Sequence, residues 1–182
     1  MRLPLLLSFF FTLLALVYAA SDLEKAQFEI ARKAYAEATG GDLRDEGERK
    51  IAFVEKWHNG KSAMDCAAGF THYLLIVADI KKEGAGTNMA WSLDNSLAVH
   101  LGKADPGKIF NTPATVIVSK WVTDIMRGNT YQWKGWVKDT ASEDYLKDQA
   151  KAYKRKYPTY NIVTNNCILF ANSIYADIQG LH

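Results

Sequence analysis

The 182-residue chain carries 22 Lys and Arg against 20 Asp and Glu, and 48% of its residues are hydrophobic. So even a balance gives no polyelectrolyte signal and argues against nucleic acid as a partner, while the length suits one compact domain whose core needs no disulfide staples. Four dispersed histidines without ligand spacing argue against zinc, and no cofactor is expected.

The opening MRLPLLLSFFFTLLALVYAA sets Arg2 ahead of an apolar run from Leu3 to Tyr18 and ends in small residues, the layout of a secretory signal peptide. Val17 and Ala19 occupy the small-residue positions, so cleavage is expected after Ala19. The reading is a leader over 1–19 and a single domain over 20–182, secreted to the extracellular space as a monomer. The run is too short to span a bilayer comfortably, and no later stretch approaches the roughly 20 apolar residues of a transmembrane helix.

SDLEKAQFEIARKAYAEATGG predicts a helix: Ser21 and Glu24 form a capping-box pair, Leu23, Ala26, Ile30 and Ala34 recur at helical spacing, and Gly40 and Gly41 stop it. DLRDEGERK is charged and loop-like, and IAFVEKWHNGKSAMDCAAGF reads as a short helix followed by a loop. THYLLIVADI, apolar on both faces, predicts a central strand, with KKEGAGTN as its turn. MAWSL and SLAVHL follow as two strands of a hairpin about Asp94 and Asn95. TPATVIVSKWV and TYQWKGWV are two more strands, separated by the turn Arg127 to Asn129.

The chain then returns to helix. In DTASEDYLKDQAKAYKRKYP, Thr140 and Glu143 form a second capping-box pair, and Leu146, Ala150, Tyr153 and Tyr157 make one stripe. TYNIV is short and extended. The last helix starts near Cys167, with Phe170, Ile174 and Ile178 spaced by four and Gly180 as its stop. The predicted fold is α+β, an antiparallel meander sheet of four to five strands packed against helices. Trp91, Trp121, Trp133 and Trp136, with Tyr131, suit core or wall positions. Lys147, Lys151, Lys154, Arg155 and Lys156 form a basic helix face, a solvated surface that could also give peripheral membrane contact.

Cys167 carries the chemical question. In the first turn of a helix, unpaired backbone N–H groups and the macrodipole favour thiolate over thiol, with Asn165 or Asn166 as a natural N-cap. The same residue suits a buried apolar thiol, or half of a bridge to Cys66. A nucleophile also needs a base. His72 opens the central strand on the face of Leu74 and Ile76, and the ring of His100, on a neighbouring strand, can approach it across the sheet. A Cys–His pair with a third polar group orienting the imidazole is the arrangement of nucleophilic acyl chemistry.

THYLLIVADI, SLAVHL and YNIVTNNCILFANSI resemble the His-strand, second-His strand and Asn-Cys helix of the lecithin-retinol acyltransferase-like proteins, a circularly permuted branch of the papain-like NlpC-type superfamily. The resemblance covers roughly His72 to Ile178. It implies a permuted papain-like fold in which Cys167 is the nucleophile, His72 the base and His100 the orienting residue. The substrate would be a small-molecule, lipid or peptide acyl group. Cys167-Ile168-Leu169-Phe170 departs from the Cys-Glu-His-Phe that the family often shows, and the loop between the histidines is longer here. GKSAMDCAAGFTHYLL resembles instead the Asp-Cys-Ser-Gly-Phe helix of unpermuted NlpC-type cell-wall peptidases, which would make Cys66 the nucleophile. The sequence thus leaves two classes open: a secreted thiol hydrolase or acyltransferase, and a non-catalytic secreted binding or effector-like protein.

Overall fold

A computed structural model of the chain describes residues 22–57, 72–105, 108, 110–123 and 128–180. The leader, the Ser21 cap, Cys66, His58 and His182 lie outside the described residues. Residues 22–39 are helical (α1). The strands β1 (Lys50–Trp57), β2 (His72–Glu83), β3 (Ala90–Lys103), β4 (Thr112–Lys120), β5 (Thr130–Trp136) and β6 (Thr159–Tyr160) form one antiparallel sheet in the order β5-β1-β2-β3-β4-β6. Two further helices, α2 (Glu143–Lys156) and α3 (Cys167–Ile178), complete an α+β arrangement. No helix among the described residues is long and apolar enough to cross a membrane.

The predicted short helix after residue 50 is instead β1. Ile51, Ala52, Phe53 and Val54 are all fully buried because β1 lies between β2 and β5 with both faces covered. A four-residue apolar run carries no period that separates such a strand from a buried helix. The predicted hairpin at Asp94 and Asn95 is also corrected, since Ala90–Lys103 is one continuous strand. Val77 pairs with Leu97 and Asp79 with Asp94, so Asn95 and Ser96 oppose Ala78 alone in a bulge. Asn95 adopts φ 48°, its N–H donates to Asp94 Oδ1 at 2.8 Å, and its Nδ2 donates to Asp79 Oδ2 at 3.0 Å. The turn-forming chemistry is present, and the strand bends instead of reversing.

The sheet has six strands where four to five were expected, and its meander runs through β1 to β4, with β1 in place of the expected short helix. β5 departs from it by returning to pair with β1 at the far edge, with a register shift between Ala52 and Phe53. Gly135 sits at this irregularity with φ 142°, and a Cβ there would lie 2.3 Å from the Tyr175 hydroxyl, which donates to the Lys134 carbonyl at 2.9 Å.

Each face of the sheet carries its own core. Val54, Leu75, Val99 and Leu101 pack under Leu146 of α2 and Phe170, Ile174 and Ile178 of α3. Phe53, Leu74, Ile76 and Ala98 pack under Phe28, Ala31 and Tyr35 of α1 with Trp121 and Trp136. The buried stripe of α1 is therefore Gln27, Phe28, Ala31, Ala34 and Tyr35, sharing only Ala34 with the expected set. Phe28 and Tyr35 prevail because their rings find aromatic partners, Phe28 stacking on Trp91 and Tyr35 meeting Trp133 edge-on. The N-cap of α2 is Ser142, accepting from Tyr145 N–H at 3.2 Å, in place of a Thr140 and Glu143 box.

The two faces of α3 give a direct test. Ile174→Ala, in the core against the sheet, should lower stability by about 2–5 kcal/mol, whereas Leu169→Ala on the outer face should stay within about 0.5 kcal/mol. Urea midpoints of the two variants check this.

Candidate functional site

The antiparallel pairing of β2 and β3 sets His72 and His100 diagonally on one face, within reach of ring side chains. His72 Nε2 and His100 Nδ1 share a hydrogen bond of 2.8 Å, with ring centroids 4.8 Å apart and planes nearly perpendicular. Trp57, paired with His72 across β1 and β2, meets its ring edge-on at 5.3 Å. Burial disfavours the imidazolium at both histidines, and the adjacent His100 adds like-charge repulsion at His72, whose pKa is pushed down from 6.5 to about 4. At neutral pH both rings are uncharged.

Cys167 is the first residue of α3, as the apolar spacing predicts. The N-cap is Asn166, whose Oδ1 accepts from the N–H groups of Ile168 and Leu169, each at 3.0 Å. The thiol is free and 8% exposed. Burial pushes its pKa above the ordinary thiol value, and the backbone N–H groups of Tyr73, Cys167 and Ile168 act against that rise without reversing it. Its charged form would repel two phenolates. Tyr73 is raised by burial and then by Cys167, and Tyr160 is pushed up to about 12 by the same two causes.

The structure brings together two of the three residues that the sequence singled out. Successive strand side chains point to opposite faces. Tyr73, Leu75 and Val77 belong to the core that contains Cys167, whereas Leu74 and Ile76 belong to the α1 core. His72 shares the parity of Leu74, His100 that of Ala98, and Trp57 packs on the α1 core. The imidazole pair and the thiol therefore stand on opposite faces of β2 and β3. No hydrogen bond joins Cys167 to either histidine among the described residues. The rival nucleophile Cys66 lies outside them. Trp121 and Trp136 are buried walls of the α1 core, as the strand positions suggest.

Two buried polar groups that the sequence did not mark hold the surrounding chain. Glu55, 1% exposed, accepts from Trp121 Nε1 at 2.8 Å and Asn129 Nδ2 at 2.6 Å, fastening to β1 the segments after β4 and before β5. Asn165 accepts from the Tyr153 hydroxyl at 2.8 Å and donates to the carbonyls of Thr159 and Tyr157 at 2.7 and 3.2 Å. It closes the turn before α3, leaving the capping to Asn166. The position of Glu55 directly after the apolar run Ile51 to Val54 was the available hint.

Among the described residues no group of three or more His, Cys, Asp or Glu side chains could hold a metal ion. No family model, curated protein or solved structure matches the chain, so nothing identifies a lecithin-retinol acyltransferase-like or NlpC-type domain.

The buried histidines couple stability to pH. The folded pKa of His72 is depressed, so its contribution is present in full above the unfolded value of 6.5 and is lost as pH falls toward about 4, where the unfolded chain binds the proton more readily. The urea midpoint should therefore drop across this window. In His72→Gln that drop should be smaller, with the difference between the two proteins isolating the histidine from the carboxylates that titrate nearby.

Proposed function

We propose that this chain is a secreted binding or effector-like protein in which Cys167 is a structural thiol and the histidine pair a structural element of the sheet. The observation that carries the reading is the placement of Cys167 on one face of β2 and of His72 and His100 on the other. Acyl chemistry at Cys167 needs a base near hydrogen-bond reach of the sulfur. The β2 residue on the sulfur's side is Tyr73, whose raised pKa keeps it protonated at neutral pH. The helix N-terminus alone favours thiolate, but burial outweighs it. A permuted papain-like arrangement remains compatible in its order, His-strand first and Cys-helix last, as a scaffold without the catalytic pairing.

Alkylation tests this. Iodoacetamide at neutral pH should modify Cys167 in the native protein at least about tenfold more slowly than in urea, as a buried protonated thiol requires. Peptide mapping separates it from Cys66. A Cys167 that is alkylated faster than a free thiol, or an ester or thioester hydrolysis abolished by Cys167→Ala, would overturn the reading in favour of an enzyme.

A further inference from the structure

One end of the molecule collects exposed apolar side chains that no core explains. Val163 is 71% exposed, Leu169 44% and Tyr157 38%. Tyr157, Val163 and Leu169 follow one another at intervals of six residues, and the turn between α2 and α3 links the segments that carry them. Asn165 fastens the turn over 161–165 to the carbonyls of Tyr157 and Thr159, with Val163 at the tip. Asn166 Nδ2 donates to the Ile162 carbonyl at 2.7 Å while its Oδ1 caps α3, which carries Leu169 in its first turn. Thr112 pairs with Tyr160 and Pro113 with Thr159, which sets the start of β4 beside the short strand that leads into this turn.

The charge at this end is one-sided. Along α2, Lys147 pairs with Glu143 at 2.6 Å and Lys151 with Asp148 at 3.6 Å, so the first half of the basic face is neutralised. Lys154, Arg155 and Lys156, in the last turn beside Tyr157, are exposed and have no carboxylate in ion-pair reach among the described residues. Lys103, at the neighbouring end of β3, adds a further cation, while Lys108 and Asp105 pair at 3.6 Å.

We infer that this end docks on an anionic lipid surface. Val163 and Leu169 would enter the headgroup and acyl boundary while Lys154, Arg155 and Lys156 meet the lipid phosphates and carboxylates. The two requirements of peripheral binding are both met: apolar area that gains by leaving water, and cations that gain in the negative surface potential. An acidic protein would be drawn by the cations but would leave the most exposed apolar tip, Val163, without a matched partner. A lipid boundary receives scattered apolar tips without shape complementarity.

Co-sedimentation of the purified protein with phosphatidylcholine vesicles, with and without phosphatidylserine, tests the inference. Binding is expected only where phosphatidylserine is present, and it should weaken as salt is added. The triple variant Lys154→Gln, Arg155→Gln, Lys156→Gln should bind at least about tenfold more weakly, since each lost cation near an anionic surface is worth about fivefold. Val163→Asp with Leu169→Asp should also weaken binding while leaving the circular dichroism spectrum and urea midpoint unchanged. Because all five positions are exposed, a second set, Val163→Ser with Leu169→Ser, keeps the test valid if the aspartates disturb the turn. Failure to bind phosphatidylserine vesicles at low salt, equal binding to pure phosphatidylcholine, or full binding by both variant sets would overturn the inference. So would capture by polyglutamate without capture by vesicles, which would point to an acidic protein. None of these outcomes depends on the reactivity of Cys167.

Discussion

Strand β2 is buried on both faces, and its alternation governs what the two halves of the molecule can do together. Tyr73, Leu75 and Val77 commit to the layer under α2 and α3, and Leu74 and Ile76 to the layer under α1. Eight consecutive pairs with β1, from Lys50 with Asp79 to Trp57 with His72, hold that commitment. A slip of one residue would exchange every side chain between layers, taking Leu75 and Ile76, both fully buried, out of the cores they now fill. The placement of His72 and Cys167 on opposite faces is thus a property of the sheet register.

The buried polar groups follow the same economy of pairing. Burying a carboxylate or an amide is costly unless its hydrogen-bonding capacity is met. Glu55 is met by neutral donors, the Trp121 indole and the Asn129 amide, and Asn165 by a tyrosine hydroxyl and two carbonyls. Glu55 ties β1 to the residue that follows β4, a strand with which β1 does not pair, and Asn165 ties the end of α2 to the turn that leads into α3. The cations at the end of α2 have a local reason to be there, because Lys154, Arg155 and Lys156 oppose the negative end of the α2 macrodipole while Glu143 and Asp144 sit at its positive end.

Much of the secondary structure could be read from local pattern. The start of α3 at Cys167, the central β2 strand and the length of α2 all rest on periods or caps within a single element. Two readings failed because one local signal had two tertiary outcomes. Asp94 and Asn95 carry turn chemistry that serves equally for a bulge, and Ile51 to Val54 is an apolar run that serves equally for a helix. Neither ambiguity can be resolved without the neighbouring strands, since pairing is what satisfies the backbone of an extended run.

For the candidate site the division is sharper. The sequence by itself determined that a cysteine would open an apolar helix behind an asparagine cap, that His72 would share a face with Leu74 and Ile76, and that His100 could reach it across the sheet; the structure carries all three. Which face of the sheet α3 would cover was decided only in three dimensions. A strand buried on both sides is apolar at every position, so its pattern does not say which face meets which helix. That choice belongs to the packing of α2 and α3 over Val54, Leu75 and Val99, and of α1 over Phe53 and Ile76, and it set Tyr73 beside the thiol in place of His72.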